Sequence, residues 1–433
     1  MDTHENSPPD GATVYGMAAH GCRAAAVDAI HARPHLLIEP PRVLTQLVFM
    51  HDGDRAQDHA TMAEMAGRFG LSAPDQDGPF HGLTWDQGKL HCEKHIEFST
   101  YLWSAAPDPR TGDPMGEDPF RDGFTPPGPV FCGIRLDVLP WTAENARRVD
   151  RFDPISLCRS VVENGKAQIA TDFHQDAQGL TRILVLDRGL SPARLGALIQ
   201  RLLEIETYRV LALLGGPIAR ALVPRIRKME QRLAAITEEM RTSARSDSEN
   251  LLSDLTDLSA EMEADSVAIL YRFSASRSYY EIVEERLAEL DEAPAPGCTS
   301  WRNFLHRRLA PMMRTCRSVE KRLADLSQKV GDAVALLSSW IDVQLEHQNS
   351  DLLKTMNDRA RMQLRLQQTV EGLSVAAVSY YITSLLGYFI RGIPGLDEVI
   401  EPYFAVTLMI PFVVLLIWWT VRRIRLSHSE GRH

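Results

Sequence analysis

Cysteine is scarce in this chain and never closely spaced. The six cysteines, Cys22, Cys92, Cys132, Cys158, Cys298 and Cys316, are scattered through 433 residues with no Cys-x-x-Cys. That pattern reads as reduced thiols in a cytoplasmic setting rather than a disulfide framework. Positive charge is in deficit, at a net −10. No basic stripe interleaved with aromatics appears, which argues against a nucleic-acid partner. Met1–Gly11 is acidic and Pro-rich, with no basic stretch leading into an apolar core, so no secretory leader is expected. Residues 1–19 read as a disordered lead-in. There is no Gly-x-Ser-x-Gly, no Gly-rich dinucleotide turn and no His-Glu-x-x-His. Gly82 to Gly88-Lys89 is one residue too long for a phosphate loop, and Leu90 stands where Ser or Thr would hold magnesium. No enzyme class is therefore indicated, and no cofactor is called for beyond a divalent cation that acidic groups would attract.

What is present sits at the end. Leu373–Ile390 and Tyr403–Val421 are uncharged apolar runs joined by the twelve residues Arg391–Pro402. A membrane-spanning helix needs about 17–25 residues. The sequence thus predicts a C-terminal two-helix transmembrane hairpin over 372–421, with a basic tail over 422–433. Lys354, Arg359, Arg361 and Arg365 precede the first run, and Arg422, Arg423, Arg425 and Arg432 follow the second. Positive-inside bias then places both termini in the cytoplasm, in the inner membrane of a bacterium, with the connector outside.

Residues 20–190 read as an α+β cytoplasmic domain. Val43–His51 and Val130–Val138 are strand-like, and Asp58–Phe69 has helical spacing. Leu83–Trp85 and Leu90–Leu102 flank a turn at Asp86–Gly88. Ser160–Glu163 and Ala167–Phe173 flank Asn164-Gly165, which suits a type I′ hairpin turn. From Ser191-Pro192 the pattern becomes helical, giving a long helical stalk over 191–371. Within it Val319, Leu323, Leu326, Val330, Ala333, Leu337 and Trp340 alternate spacings of four and three. Such a seam packs either inside its own subunit or against further copies as a self-associating stalk.

The candidate sites are few. His91, Glu93 and His95, with Glu97, would line one face of a strand. Residues four apart on a strand are ~13 Å apart along its axis, which suits a polar face better than one zinc ion. His31-Ala32-Arg33-Pro34-His35 either holds an anion or pairs with an acid of the same domain. In the first apolar run Gly372, Ala376, Ser379, Thr383 and Gly387 form a stripe of small residues. Such a stripe lets helices approach closely, or lines a pore in a symmetric bundle. Glu371 would then ring the cytoplasmic mouth, and Asp397, Glu398 and Glu401 would gather cations outside.

Asn303–Pro311 (NFLHRRLAP), Ser350–Tyr381 (SDLLKTMNDRARMQLRLQQTVEGLSVAAVSYY), His31–Pro34 and Leu202–Arg209 (LLEIETYR) carry a resemblance. They resemble a bacterial family of membrane-anchored proteins described only as a domain of unknown function. The resemblance spans nearly the whole chain and implies a membrane anchor. The arrangement of α/β domain, long helix and hairpin also looks like the CorA-type magnesium channels. Their Gly-Met-Asn tripeptide is absent, with Gly387-Tyr388-Phe389-Ile390 in its place. Together these point to a homo-oligomer in the lipid bilayer that gates a cation pathway, or alternatively to a non-conducting, membrane-tethered scaffold or regulatory protein.

Overall fold

The computed structural model describes residues 13–15, 17–20, 23, 36–51, 56–74, 80–86, 88–121, 123–242, 248–391 and 402–429. The chain divides into two compact units. One comprises Met1–Ala244 with Ser253–Ala333, the other Arg245–Leu252 with Val334–His433.

The first unit holds the sheet. Strands β1 (Thr13–Val14) and β2 (Met17–Ala18) form a small separate pair. Strands β3 (Arg42–Met50), β4 (Phe80–Trp85), β5 (Gly88–Lys94), β6 (Phe98–Ala105), β7 (Val130–Pro140), β8 (Cys158–Val162), β9 (Ala167–Gln175), β10 (Thr181–Asp187) and β11 (Ala293–Pro294) make one nine-stranded sheet. Its order is β11-β8-β9-β10-β7-β3-β6-β5-β4. Strands β10 and β7 run parallel and the other neighbours antiparallel, so the sheet is mixed.

Strand β3 lies inside the sheet, next to the central β7, and its sequence, RVLTQLVFM, is apolar on both faces. Leu44 and Val48 point into one core and Phe49 into the other. The first core meets helix α3 (Pro192–Ala212) through Leu195, Leu198, Ile199, Leu202 and Ile205. The second places Leu90, Tyr101 and Trp103 against Met62 and Met65 of α1 (Ala56–Arg68). Burying each such side chain contributes ~1.5–3 kcal/mol. Helix α2 (Ala143–Ala146) is a single capped turn. Two glycines permit close approach. A Cβ on Gly88 would lie 1.8 Å from the Trp103 ring, and one on Gly196 would lie 1.7 Å from the Leu36 carbonyl oxygen.

Sequence and structure diverge at two turns. The run expected to continue from Leu90 to Leu102 is two strands, because the chain folds back at residues 95–97. The β8–β9 hairpin forms, but Glu163 and Asn164 are the residues in the left-handed region, followed by Gly165. Val162 pairs with Ala167, so the four-residue loop between them is two residues longer than a type I′ pair. The segment around His31 and Arg33 lies outside the described residues.

Beyond α3 come α4 (Gly215–Thr242), α5 (Ser248–Glu289), α6 (Trp301–Arg391) and α7 (Pro402–Ser429). Helix α6 runs through Pro311 without interruption. Arg232–Glu261 and Arg225–Asp265 tie α4 to α5, Arg277–Glu320 ties α5 to α6, and Arg322–Glu230 ties α6 to α4. The heptad residues Val319, Leu323, Leu326 and Val330 are only 1–3 % exposed in a single copy. That stretch of the seam is covered by the chain's own helices.

The transmembrane hairpin is a point of correction. Among the described residues one helix, Trp301–Phe389, is long and apolar enough to cross a membrane. The first apolar run is the end of a continuous 91-residue helix. The residues that would make the return, 392–401, lie outside the described residues. Helix α7 is not among the helices that meet this measure of length and apolarity, and Pro411 removes a hydrogen bond inside its apolar stretch. Among the described residues there is thus one candidate span by length and composition, not two.

Candidate functional site

A cavity of about 420 Å3 opens between one face of the sheet and α3. Strand register sets the sheet side of it. Phe80 pairs with Glu93, Gly82 with His91, Glu93 with Thr100, and His91 with Leu102. Cross-strand partners share a face, so these side chains converge. Gln200, Leu203, Glu204, Thr207 and Tyr208 of α3 close the other side.

The polar groups are held in place. Gln46 of β3 donates from Nε2 to Thr207 Oγ1 at 2.9 Å, joining sheet to helix. Glu204 accepts from Gln200 Nε2 at 3.1 Å and from Arg286 Nε of α5 at 2.5 Å. Two residues on, the wholly buried Glu206 takes a forked pair of hydrogen bonds from Arg209, at 2.7 and 2.6 Å. The His95 ring stacks on Phe98 at 4.1 Å between centroids, with Nε2 3.6 Å from Glu93 Oε1. Burial, reinforced by Lys89, lowers the His91 pKa from its ordinary 6.5, so this imidazole is neutral at neutral pH. Cys92 turns to the opposite face, where burial above all pushes its thiol up to about 12. It is a core residue rather than a nucleophile.

Beside the cavity, the turn that separates β5 from β6 carries Glu97 into a knot with α5. Its carboxylate accepts from Tyr279 at 2.5 Å, Tyr271 at 3.0 Å, and both Arg272 terminal nitrogens at 3.2 and 3.0 Å. Burial alone would raise the Glu97 pKa. The donated hydrogen bonds outweigh it and hold the carboxyl below its ordinary range.

His91, Glu93 and His95 therefore line a common cavity. Glu97 leaves that face because the strand ends at Lys94 and the chain turns back. Among the described residues no group of three or more His, Cys, Asp or Glu is placed to hold a metal ion. In α6, Glu371 accepts from Gln367 at 3.4 Å, and Thr383 Oγ1 donates to the Ser379 carbonyl at 2.7 Å. Ser379 is buried and Gly387 half-buried. Asp397, Glu398 and Glu401 lie outside the described residues. Sequence reasoning missed the α3 wall and the Glu97 knot. The signal for the first was available: two acids inside the apolar string LLEIETYR, where a buried carboxylate requires a partner.

The sequence pattern of the family described as "Protein of unknown function (DUF3422)" matches residues 18–428. The chain belongs to that family. The match to DUF3422 takes in the sheet, the cavity, all the long helices and nearly the whole chain, as the resemblance implied. No curated protein matches the sequence. The CorA-type likeness gains no support from these comparisons, and DUF3422 membership carries no activity with it.

Proposed function

We propose that this DUF3422 chain is a membrane-tethered regulatory protein whose sheet unit binds a small organic molecule in the cavity between β4–β6 and α3. The cavity carries the reading. Its volume falls within the range of small-molecule sites, about 300–1,000 Å3, and apolar walls alternate with a few fixed polar groups. The apolar end of α6 supplies the tether. Lys354, Arg359, Arg361 and Arg365 precede it and favour a cytoplasmic sheet unit in a bacterial inner membrane. A conducting role drew on the seam Val319–Val330 as an oligomeric stalk. Those residues pack within one copy, which favours the regulatory reading.

Gly82 provides the test. A Cβ there has no neighbour nearer than 3.8 Å, so a side chain can start from this position, and Gly82→Leu takes up cavity space. Full-length protein extracted in detergent should carry a co-purifying small molecule, read by native mass spectrometry, and Gly82→Leu should lose it while keeping its fold by circular dichroism. Identical small-molecule content in both proteins refutes cavity binding. Magnesium flux through liposomes holding the wild type, above that of empty liposomes, refutes the non-conducting role.

A further inference from the structure

Helix α6 is covered by its own chain as far as Leu337, and then the cover stops. From 351 to 370 every residue is exposed. A helix gains most of its stability by packing a face, and an uncovered one that keeps an apolar stripe is missing a partner. The stripe here is regular. Leu345, Leu352, Leu366 and Leu373 recur at one heptad position, at 52, 62, 67 and 74 % exposure. Ile341, Gln348, Thr355, Met362 and Thr369 take the second core position. Leu337, Ile341 and Leu345 are joined by two successive spacings of four, a stutter that shifts the phase of the seam. The internal seam and the exposed one are continuous along one helix but face different directions. The polar phase through Gln344, His347 and Asp351 belongs to the first seam, and the leucines belong to the second.

We infer that residues 341–373 of α6 form a parallel, two-stranded coiled coil with a second copy of this chain. Three observations select this occupant. The stripe is self-complementary, with leucine at four of its five equivalent positions. The same helix ends in the candidate span, so copies held in one bilayer present it in the same direction. The exception to leucine is Arg359, and the residue flanking that position across a parallel pair is Asp358 of the second copy. Gln348, Thr355 and Thr369 are polar but neutral, so Arg359 is the one charged core residue, and a charge matched across the pair fixes register. An antiparallel pair would not bring these two together at the same level.

Cysteine scanning of the full-length chain in liposomes tests this, with the parent chain as control for its own six cysteines. Under mild oxidation Leu345→Cys, Leu352→Cys and Leu366→Cys should give a band of twice the chain mass, at least about fivefold stronger than Lys354→Cys or Arg361→Cys on the outer face. Leu352→Asp with Leu366→Asp should convert the detergent-extracted dimer to monomer by light scattering. Both positions are exposed in one copy, so helix content by circular dichroism should hold. Arg359→Leu should keep the dimer assembled at about tenfold lower concentration. A wild type that is monomeric, or crosslinking that does not follow the heptad, overturns the proposal. Crosslinks that pair Leu345→Cys with Leu373→Cys, in place of like with like, overturn the parallel arrangement.

Discussion

Replacing Glu97 by glutamine should cost the sheet unit about as much as any single change outside its cores. The carboxylate takes four hydrogen bonds from Tyr271, Tyr279 and Arg272, and its side chain is 8 % exposed. Glutamine keeps the shape but offers one acceptor oxygen, and turns an NH2 toward groups that are themselves donors. Hydrogen bonds to a charged group are worth ~1.5–3 kcal/mol each, and removing one partner of a buried ion pair costs ~3–5 kcal/mol. Arg272 is 20 % exposed, so water recovers part of its charge. The net loss should be about 3 kcal/mol. With a urea slope near 3 kcal/mol/M, the unfolding midpoint should fall by about 1 M. The assay is urea unfolding of the detergent-solubilised chain, followed by circular dichroism at pH 7. Acid gives the sign. Because the folded pKa lies below the ordinary value of 4.5, the stabilisation is complete above that value and is lost as pH falls through the folded pKa. The gap between wild type and Glu97→Gln should therefore close on acidification. Coincident midpoints at pH 7, or a gap that widens toward acid, would refute the argument.

Leu326→Ala should destabilise the protein by about 2–5 kcal/mol in the same assay even when the chain is monomeric, because Leu326 is already buried within one copy. A loss that appeared only on dimer formation would contradict that packing. Gly88→Ala should be destabilising by about 1–3 kcal/mol, since its methyl meets the Trp103 ring and forces β5 or the indole to move. Unchanged tryptophan fluorescence and midpoint would show that the ring yields freely. Ending the chain before residue 372 should release it from membranes washed in carbonate, whereas the intact protein should stay, through the apolar end of α6. Glu371→Gln should leave that retention unchanged, because Glu371 has a neutral partner in Gln367 and sits outside the apolar run.

Much of the fold was legible because the signals are local. The apolar, strand-like run in RVLTQLVFM gave β3, and Ser191-Pro192 marked the start of α3. The Asn164 hairpin formed with a longer turn than Asn-Gly suggests. The candidate site was half legible. His91, Glu93 and His95 stood out on β5, yet their surroundings come from Tyr208 and Arg286, more than a hundred residues away. Spacing along one strand cannot report which helix covers it. The heptad of Val319–Val330 shows the same limit, since an apolar seam is identical whether the covering helices belong to one copy or to several. The hairpin failed for a different reason. Two apolar runs were read as two spans, whereas among the described residues only the run that ends α6 belongs to a helix long and apolar enough to cross a membrane.

Tyr279 belongs to two neighbourhoods at once. Its hydroxyl closes on Glu97, while its ring stacks on Tyr208 at 5.5 Å and meets Phe98 edge-on at 6.4 Å. Tyr208 and Phe98 are cavity walls. An occupant that pries those two rings apart must also do work on Tyr279, and through it on the hold that Glu97 keeps on α5. Such coupling is reciprocal: whatever factor the occupant imposes on the Glu97 contact, a strain on α5 imposes on the occupant's affinity. A pull on one helix and the filling of one cavity thus become two readings of a single equilibrium.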